Sequence, residues 1–462
     1  MNLLNKLPGV ANAKSRLNFK QRLKWTVLVL VLFYAMGQTP LFGVAEQSYE
    51  YFKSISVLLG SEFGTLGTLG IGPIVTASIL LQVLVGSKII SWDLGTKEGR
   101  AKFQGTQKMV TILFCFLEGF AYALFGAIRP EAPALLGFVA LQVAAGGLLI
   151  LFLDEVSTKW GLGPGVSLFI AAGVSKEIFI RIFSPVSAEG GGLCIGTGNT
   201  CSGALLNAFS GFASGQFNLA LLSITAIFAT IFIFAISLFA QSIKVEIPLA
   251  FSNIRGFGRR WPLNLFYTSN MPVILASALL INLTLFGSFI ASQGLGFSIF
   301  GFAVPGEFGS GGTPTGGLAY YLSAPHGFLL NILSGVQVDY LRAITYVLFL
   351  TVLCVTFALF WVETTNMGPE RVAEQISSVG MQIPGFRKDK RILVSVLSKY
   401  IYPLTVMGAI AVGLLAATAD LLGAYGTGTG ILLTVMILYN FYERIGQQYM
   451  EDMNPAVRKF FE

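Results

Sequence analysis

Apolar runs of bilayer length recur along the chain, and the connections between them alternate between strongly basic and nearly uncharged. Ten spans are expected, at about 23–44, 70–90, 104–128, 132–154, 162–184, 217–243, 264–288, 337–361, 400–422 and 427–449, each close to the roughly 20 residues a membrane-crossing helix requires. Some, such as "LALLSITAIFATIFIFAISLFA", carry no charge. The second run differs from the rest. In "GTLGTLGIGPIVTASILLQVLVGS", residues 64–87, Gly64, Gly67, Gly70, Gly72 and Pro73 crowd its start. Glycine costs about 1 kcal/mol relative to alanine inside a helix and proline about 3, so a helix is expected to break there.

A second pattern joins the two ends of the chain. Aligning Pro73 with Pro272 sets "PIVTASILL" over "PVILASALL", with five of nine positions identical. These stretches open spans 2 and 7, which correspond if the chain is two five-span halves. Five is odd, so the second half then crosses the membrane in the opposite sense, an architecture used by proteins that move substances between its halves. Chance similarity between two apolar stretches remains the alternative on this pair alone.

Composition agrees with the spans: 54% hydrophobic and 11% charged residues exclude a string of soluble domains. Of 30 Lys and Arg, 25 fall on one side, in the N-terminal segment and in every second connection. The positive-inside rule makes that side cytoplasmic, with both termini there. No cleavable signal peptide is expected, because a basic amphipathic leader precedes the first span. The organisation read from the chain is a cytoplasmic segment 1–22, an N-terminal half 23–185, an outer connection 186–216, a C-terminal half 217–449 with long cytoplasmic loops at 244–263 and 362–399, and a tail 450–462. The net charge of +7 is then mainly a topology signal, and no DNA partner is expected. The basic loops either only hold the orientation or form an ordered surface for a polyanion such as RNA, whose binding would fall steeply with salt.

Catalytic signatures are missing. No GxxxxGK[ST] loop occurs, the single histidine, His326, sits in an outer loop, and Asp154 and Asp420 fall near span ends rather than meeting at depth as an aspartyl protease needs. No enzyme activity, metal or cofactor is expected. Glu118, in "LFCFLEGFAYALF", is the ionisable residue at membrane depth. It is either functional or a protonated carboxyl bonded to a neighbouring helix. Thr76 and Asn282 lie at comparable depth, so the three could close a small polar cluster across spans 2, 3 and 7. The broken helix itself carries Ile71, Ile74, Val75 and Ile79, which make an apolar constriction rather than a solute site. Cys115 and Cys354 read as small apolar residues within spans, while for Cys194 and Cys201, in "GGGLCIGTGNTC", a disulfide and two free thiols are both open.

The strings "TLGIGPIVTASILLQVLVGS", "FQGTQK", "LDEVSTKWGLGPGVSLFIAAGVS", "VEIPLAF", "SNMPVILASALL", "AYYLSAP", "FWVETT", "GFRKDKR", "YIYPLTVMGA" and "GTGTGILLTV" run in order through the chain. They closely resemble the SecY family of protein-conducting channels, its archaeal and eukaryotic branch more than the bacterial one. The resemblance implies an all-α membrane protein with ten transmembrane helices in two inverted five-helix halves around an hourglass pore, with a plug helix at about 46–64. It implies a pore ring at Ile71, Val75, Val166, Ile170, Ile274 and Leu433. It also implies a lateral gate whose polar cluster is Thr76, Glu118 and Asn282, and ribosome contacts at Arg259, Arg260, Arg387, Lys388, Lys390 and Arg391. Expected partners are a SecE-type gamma subunit, a small beta subunit, the ribosome, signal sequences, nascent polypeptides and membrane lipid. The implied role is a passive gated conduit for secretion and for membrane insertion in a cell membrane, the archaeal plasma membrane by branch. Gly67, where the family commonly has a larger residue, and the cysteine-bearing connection depart from the pattern. The competing readings are an inverted-repeat transporter of small solutes and an inert membrane scaffold for ribosomes.

Overall fold

The computed structural model describes residues 9–13, 17–44, 64–87, 89–92, 96–124, 128, 130–186, 194, 201–251, 258–268, 271–292, 297–299, 302–304, 306–308, 314–325, 328–333, 335, 337–365, 367–378, 381–382 and 390–452. The expected plug segment (apart from Gly64), Arg387, Lys388 and His326 lie outside the described residues.

Helices dominate. In chain order they are α1 (Phe19–Gln38), α2 (Gly72–Gly86), α3 (Lys97–Leu124), α4 (Leu136–Trp160), α5 (Gly165–Phe183), α6 (Ala204–Ala213), α7 (Phe217–Ser242), α8 (Met271–Ser292), α9 (Gly317–Leu322), α10 (Phe328–Leu333), α11 (Tyr340–Thr364), α12 (Pro369–Ser378), α13 (Lys390–Leu422) and α14 (Gly428–Asp452). The ten expected spans coincide with α1 to α5, α7, α8, α11, α13 and α14. Five of these, α3, α4, α7, α11 and α13, are long and apolar enough to cross a bilayer on length and composition alone. α2 is only 15 residues long. At 1.5 Å per residue it covers about 22 Å, short of a hydrocarbon core of about 30 Å. It therefore starts inside the bundle, where the glycine-rich approach ends; Gly64 and Gly70 take φ of 82° and 53° there, a conformation open to glycine at no steric cost.

Neighbour relations repeat between halves. α2 packs on α3, α3 on α4 and α4 on α5; in the same order α8 packs on α11, α11 on α13 and α13 on α14. The halves meet where α2 touches α8 and α11, and where α14 touches α5. One large apolar core draws on both halves, from Val29 and Phe33 of α1 to Leu432 and Met436 of α14. At the chain start, Glu155 on α4 accepts from the Val10 amide at 2.9 Å and pairs with Lys108 on α3, while Lys159 and Trp160 donate to the Val10 and Ala11 carbonyls at 2.6 and 2.9 Å.

The two basic loops depart from a plain helical reading. Residues Lys244–Phe251 (β1) and Gly258–Asn264 (β2) form an antiparallel hairpin, and Met381–Gln382, the last short strand of the chain, pairs with the free edge of β1. Under the sheet, Ile247 and Leu263 pack with Val372 and Ile376 of α12 and with Leu393, Leu397 and Ile401 of α13. That i, i+4, i+8 spacing explains why α13 begins at Lys390, well before the expected span at 400: its first turns have an apolar face covered by the loop domain rather than by lipid. On the opposite end, short strands at Phe297–Ile299, Phe302–Val304, Glu307–Phe308 and Pro314–Gly316 form two small antiparallel pairs beside α9. The connection expected at 186–216 contains α6, and a disulfide joins Cys194 to Cys201 ahead of it, with Cα atoms 5.4 Å apart.

Gly146 of α4 faces the glycine-rich approach so closely that an added Cβ would sit 1.9 Å from the Leu66 carbonyl oxygen, whereas at Gly137 of the same helix nothing lies within 4 Å. Gly146→Ala is expected to cost about 1–3 kcal/mol by overpacking, and Gly137→Ala to cost nothing, in thermal unfolding of the detergent-solubilised protein.

Candidate functional site

Four helices converge on one apolar cluster with their first two turns. Ile71 immediately precedes α2 and Val75 is its fourth residue; Ile274 is the fourth residue of α8; Val166 and Ile170 belong to the first six residues of α5, and Leu433 is the sixth of α14. Local sequence sets each start. Pro73 occupies the first turn of α2 and Pro272 that of α8, where the missing amide proton has no intrahelical partner to lose. Pro164 precedes α5, and glycine opens α5 and α14.

All six expected ring side chains fall in one apolar cluster. Ile71, Val75, Ile170, Ile274 and Leu433 are buried and Val166 is half-buried against them. Val75, Val166 and Ile274 also line a cavity of about 470 Å³ with Asp154, Gln107, Asn440 and Arg444 in its wall. The cavity is thus polar at its side and apolar where the two halves close on each other. Gln107, Asp154, Asn440 and Arg444 were not singled out for this wall by the sequence; their only signal is a polar residue near the end of an apolar run.

Thr76, Glu118 and Asn282 meet as well. The Asn282 side-chain amide donates to the Thr76 hydroxyl at 3.0 Å, across the α2–α8 boundary. Thr76 also donates to the Gly72 carbonyl of its own helix at 2.9 Å and is within hydrogen-bond reach of the Glu118 carboxyl on α3. Glu118 is buried, and among the described residues its Oε1 has no hydrogen-bond partner. The cluster therefore ties one helix from each half together through a single hydroxyl. Among the described residues no group of three or more His, Cys, Asp and Glu stands close enough to hold a metal ion.

The basic residues expected on the loops are only partly placed. Arg259 and Arg260 stand opposite Leu249 and Pro248 on the hairpin, Lys390 opens α13, and Arg391 is exposed. A buried pair that the sequence did not suggest joins α11 to α13, where the Tyr346 hydroxyl donates to Asp420 at 2.7 Å.

Comparison with known proteins is concordant. A family model described as SecY matches residues 65–442. The chain is 43% identical over 463 residues to the protein translocase subunit SecY of Methanothermobacter thermautotrophicus, covering 99% of this chain and 97% of that one. It is 40% identical to that of Methanocaldococcus jannaschii, covering 99% and 98%. Among solved structures, one described as a protein-conducting channel superposes with a TM-score of 0.82 at 38% identity and 98% coverage of both chains. Sec61 in the canine ribosome-channel complex does so with a TM-score of 0.79, again at 38% identity and with 98% of each chain covered.

A double-mutant cycle of Thr76→Val and Asn282→Leu, read by thermal unfolding in micelles, is expected to give a coupling energy of about 0.6 kcal/mol and at most about 1.7, the range of side-chain hydrogen bonds between membrane helices. Zero coupling would mean that the two side chains do not share the bond.

Proposed function

The chain belongs to the SecY family and is the pore subunit of a protein-conducting membrane channel, and we propose from this that its apolar cluster at Ile71, Val75, Val166, Ile170, Ile274 and Leu433 is the closed constriction of the pore. The observation that carries this reading is the convergence of apolar side chains from the first two turns of four helices, two in each half. Branched aliphatic side chains deny ions their hydration, yet side chains deform around a passing extended polypeptide in a way a rigid coordinating site does not. The solute-transporter and scaffold readings give way to the family assignment.

The bond between Thr76 and Asn282 is the polar fastening of the lateral gate in this proposal. Its weakness suits a boundary that opens and recloses. A segment in the pore then partitions by its own composition: a leucine-like residue at the centre of a helix favours lipid by about 0.3–0.6 kcal/mol, and a charge opposes it by about 3. Opening the α2–α8 and α2–α11 contacts provides the sideways exit, and threading the ring provides the axial one.

The basic end faces the cytoplasm in this reading, with both termini on that side of the cell membrane. The β1–β2 hairpin and the loop before α13 dock the ribosome through Arg259, Arg260, Arg387, Lys388, Lys390 and Arg391, as the ribosome complex of the Sec61 relative suggests. A SecE-type gamma subunit and a small beta subunit complete the channel, and the plug formed by residues 46–64 seals the outer funnel. Signal sequences and nascent chains are the substrates.

Two measurements test this. Val75→Asn combined with Ile274→Asn is expected to raise the ion conductance of the closed channel in planar bilayers at least tenfold; unchanged conductance would remove the ring assignment. Arg387→Glu with Lys388→Glu is expected to weaken cosedimentation with ribosomes at least tenfold and to flatten its salt dependence, since each lost phosphate contact removes about one unit of slope. Binding that survives this double reversal at every salt concentration would move the docking surface elsewhere.

A further inference from the structure

A helix whose start is buried within a bundle leaves its first amide protons without acceptors, and an unsatisfied buried amide is costly. α2 and α8 meet this with proline in the first turn. α5 and α14 lack that proline, and each instead draws a carboxylate from the helix before it. Asp154 of α4 accepts from the Val166 amide at 2.9 Å and also from the Gly165 amide. Asp420 of α13 accepts from the Gly428 amide at 2.7 Å with one oxygen and from the Tyr346 hydroxyl at 2.7 Å with the other.

The resemblance between the two joints extends to the backbone. A Cβ at Gly165 would stand 2.6 Å from the Asp154 Cα, and one at Gly428 would stand 2.3 Å from the Asp420 nitrogen. In both places only glycine lets the helix start lie directly on the preceding helix. Counting onward, Ile170 is five residues after Gly165, and Leu433 is five residues after Gly428. The two joints belong to the corresponding helix pairs of the two halves, α4–α5 and α13–α14, and α5 packs directly on α14.

We infer that Asp154 and Asp420 are paired positioning residues, each fixing the depth and rotation of one ring helix so that Ile170 and Leu433 arrive together at the constriction. Asp154 holds the backbone amide of Val166, itself one of the six, and Asp420 that of Gly428. Each acts through the first turn of its helix, and each governs one side of the closure. The inference rests on the proposal that these side chains form the seal.

The test uses the full-length channel reconstituted in planar bilayers, with Val75→Asn plus Ile274→Asn as the ring control. Asp154→Ala and Asp420→Ala are each expected to raise closed-state conductance at least tenfold. Asp154→Asn and Asp420→Asn keep a carbonyl acceptor and are expected to stay within twofold of the parent. In a background carrying Cys115→Ala and Cys354→Ala, reactivity of Ile170→Cys toward a membrane-impermeant thiol reagent should change at least fivefold with Asp154→Ala and less than twofold with Asp420→Ala; Leu433→Cys should show the reverse. If the ring control leaks while both alanine variants stay tight, the inference fails and the ring stands; if the ring control itself does not leak, the ring reading fails first. Asparagine variants that leak as much as alanine at equal thermal stability would overturn the acceptor role, and so would two cysteines that respond alike to either aspartate. Should an alanine variant not fold, Gly165→Ala and Gly428→Ala crowd the same joints from the helix side and are expected to leak at least tenfold, with tight variants again counting against the inference.

Discussion

Beginning a helix away from water is the constraint on which the rest of this structure depends. The backbone tolerates such a start only where the first-turn amides are removed or satisfied. Four helices do this around one constriction. α2 and α8 carry a proline there, and α5 and α14 receive a carboxylate from the preceding helix. Corresponding helices of the two halves use the same solution. On the reading proposed above, the ring is a product of where helices start, and its six side chains take their positions from backbone chemistry one or two turns away.

The boundary between the halves is built on a different scale. Apolar packing supplies most of the contact between α2 and its neighbours α8 and α11, and a single hydroxyl at Thr76 gathers the polar groups of Asn282 and Glu118. Val75 in the apolar cluster and Thr76 in its bond to Asn282 are adjacent on α2. In the proposed function the seal and the sideways exit thus share a helix.

Much of this was readable from the chain. The spans followed from apolar run length, the Pro73 and Pro272 correspondence marked two ring helices, and Thr76 and Asn282 stood out as polar residues at matching depth. Asp154 and Asp420 were noticed only as poor protease candidates, since the amides of the next helix that they accept from leave no side-chain signature and the Tyr346 partner of Asp420 is 74 residues away in sequence. The strand pairing of the basic loops was hidden for a related reason: the density of Lys and Arg drew attention to charge, while Leu393 and Leu397, which extend α13 ahead of the expected span, lie in a stretch that reads as polar connection. Gly67 is a smaller surprise, because a side chain there would meet only ordinary van der Waals contacts, the nearest at 3.5 Å.

The three-stranded sheet takes its strands from the α7–α8 connection and from the stretch between α12 and α13, so every strand belongs to the C-terminal half. Among the described residues the N-terminal half contributes no strand to this sheet and is instead strapped at its own end by the Glu155 contact to Val10. Mechanically, the sheet is a handle fixed to one jaw of a clamp. On the proposed ribosome contact, a body that grips it would hold the C-terminal half and leave α2 and α3 free to move against it.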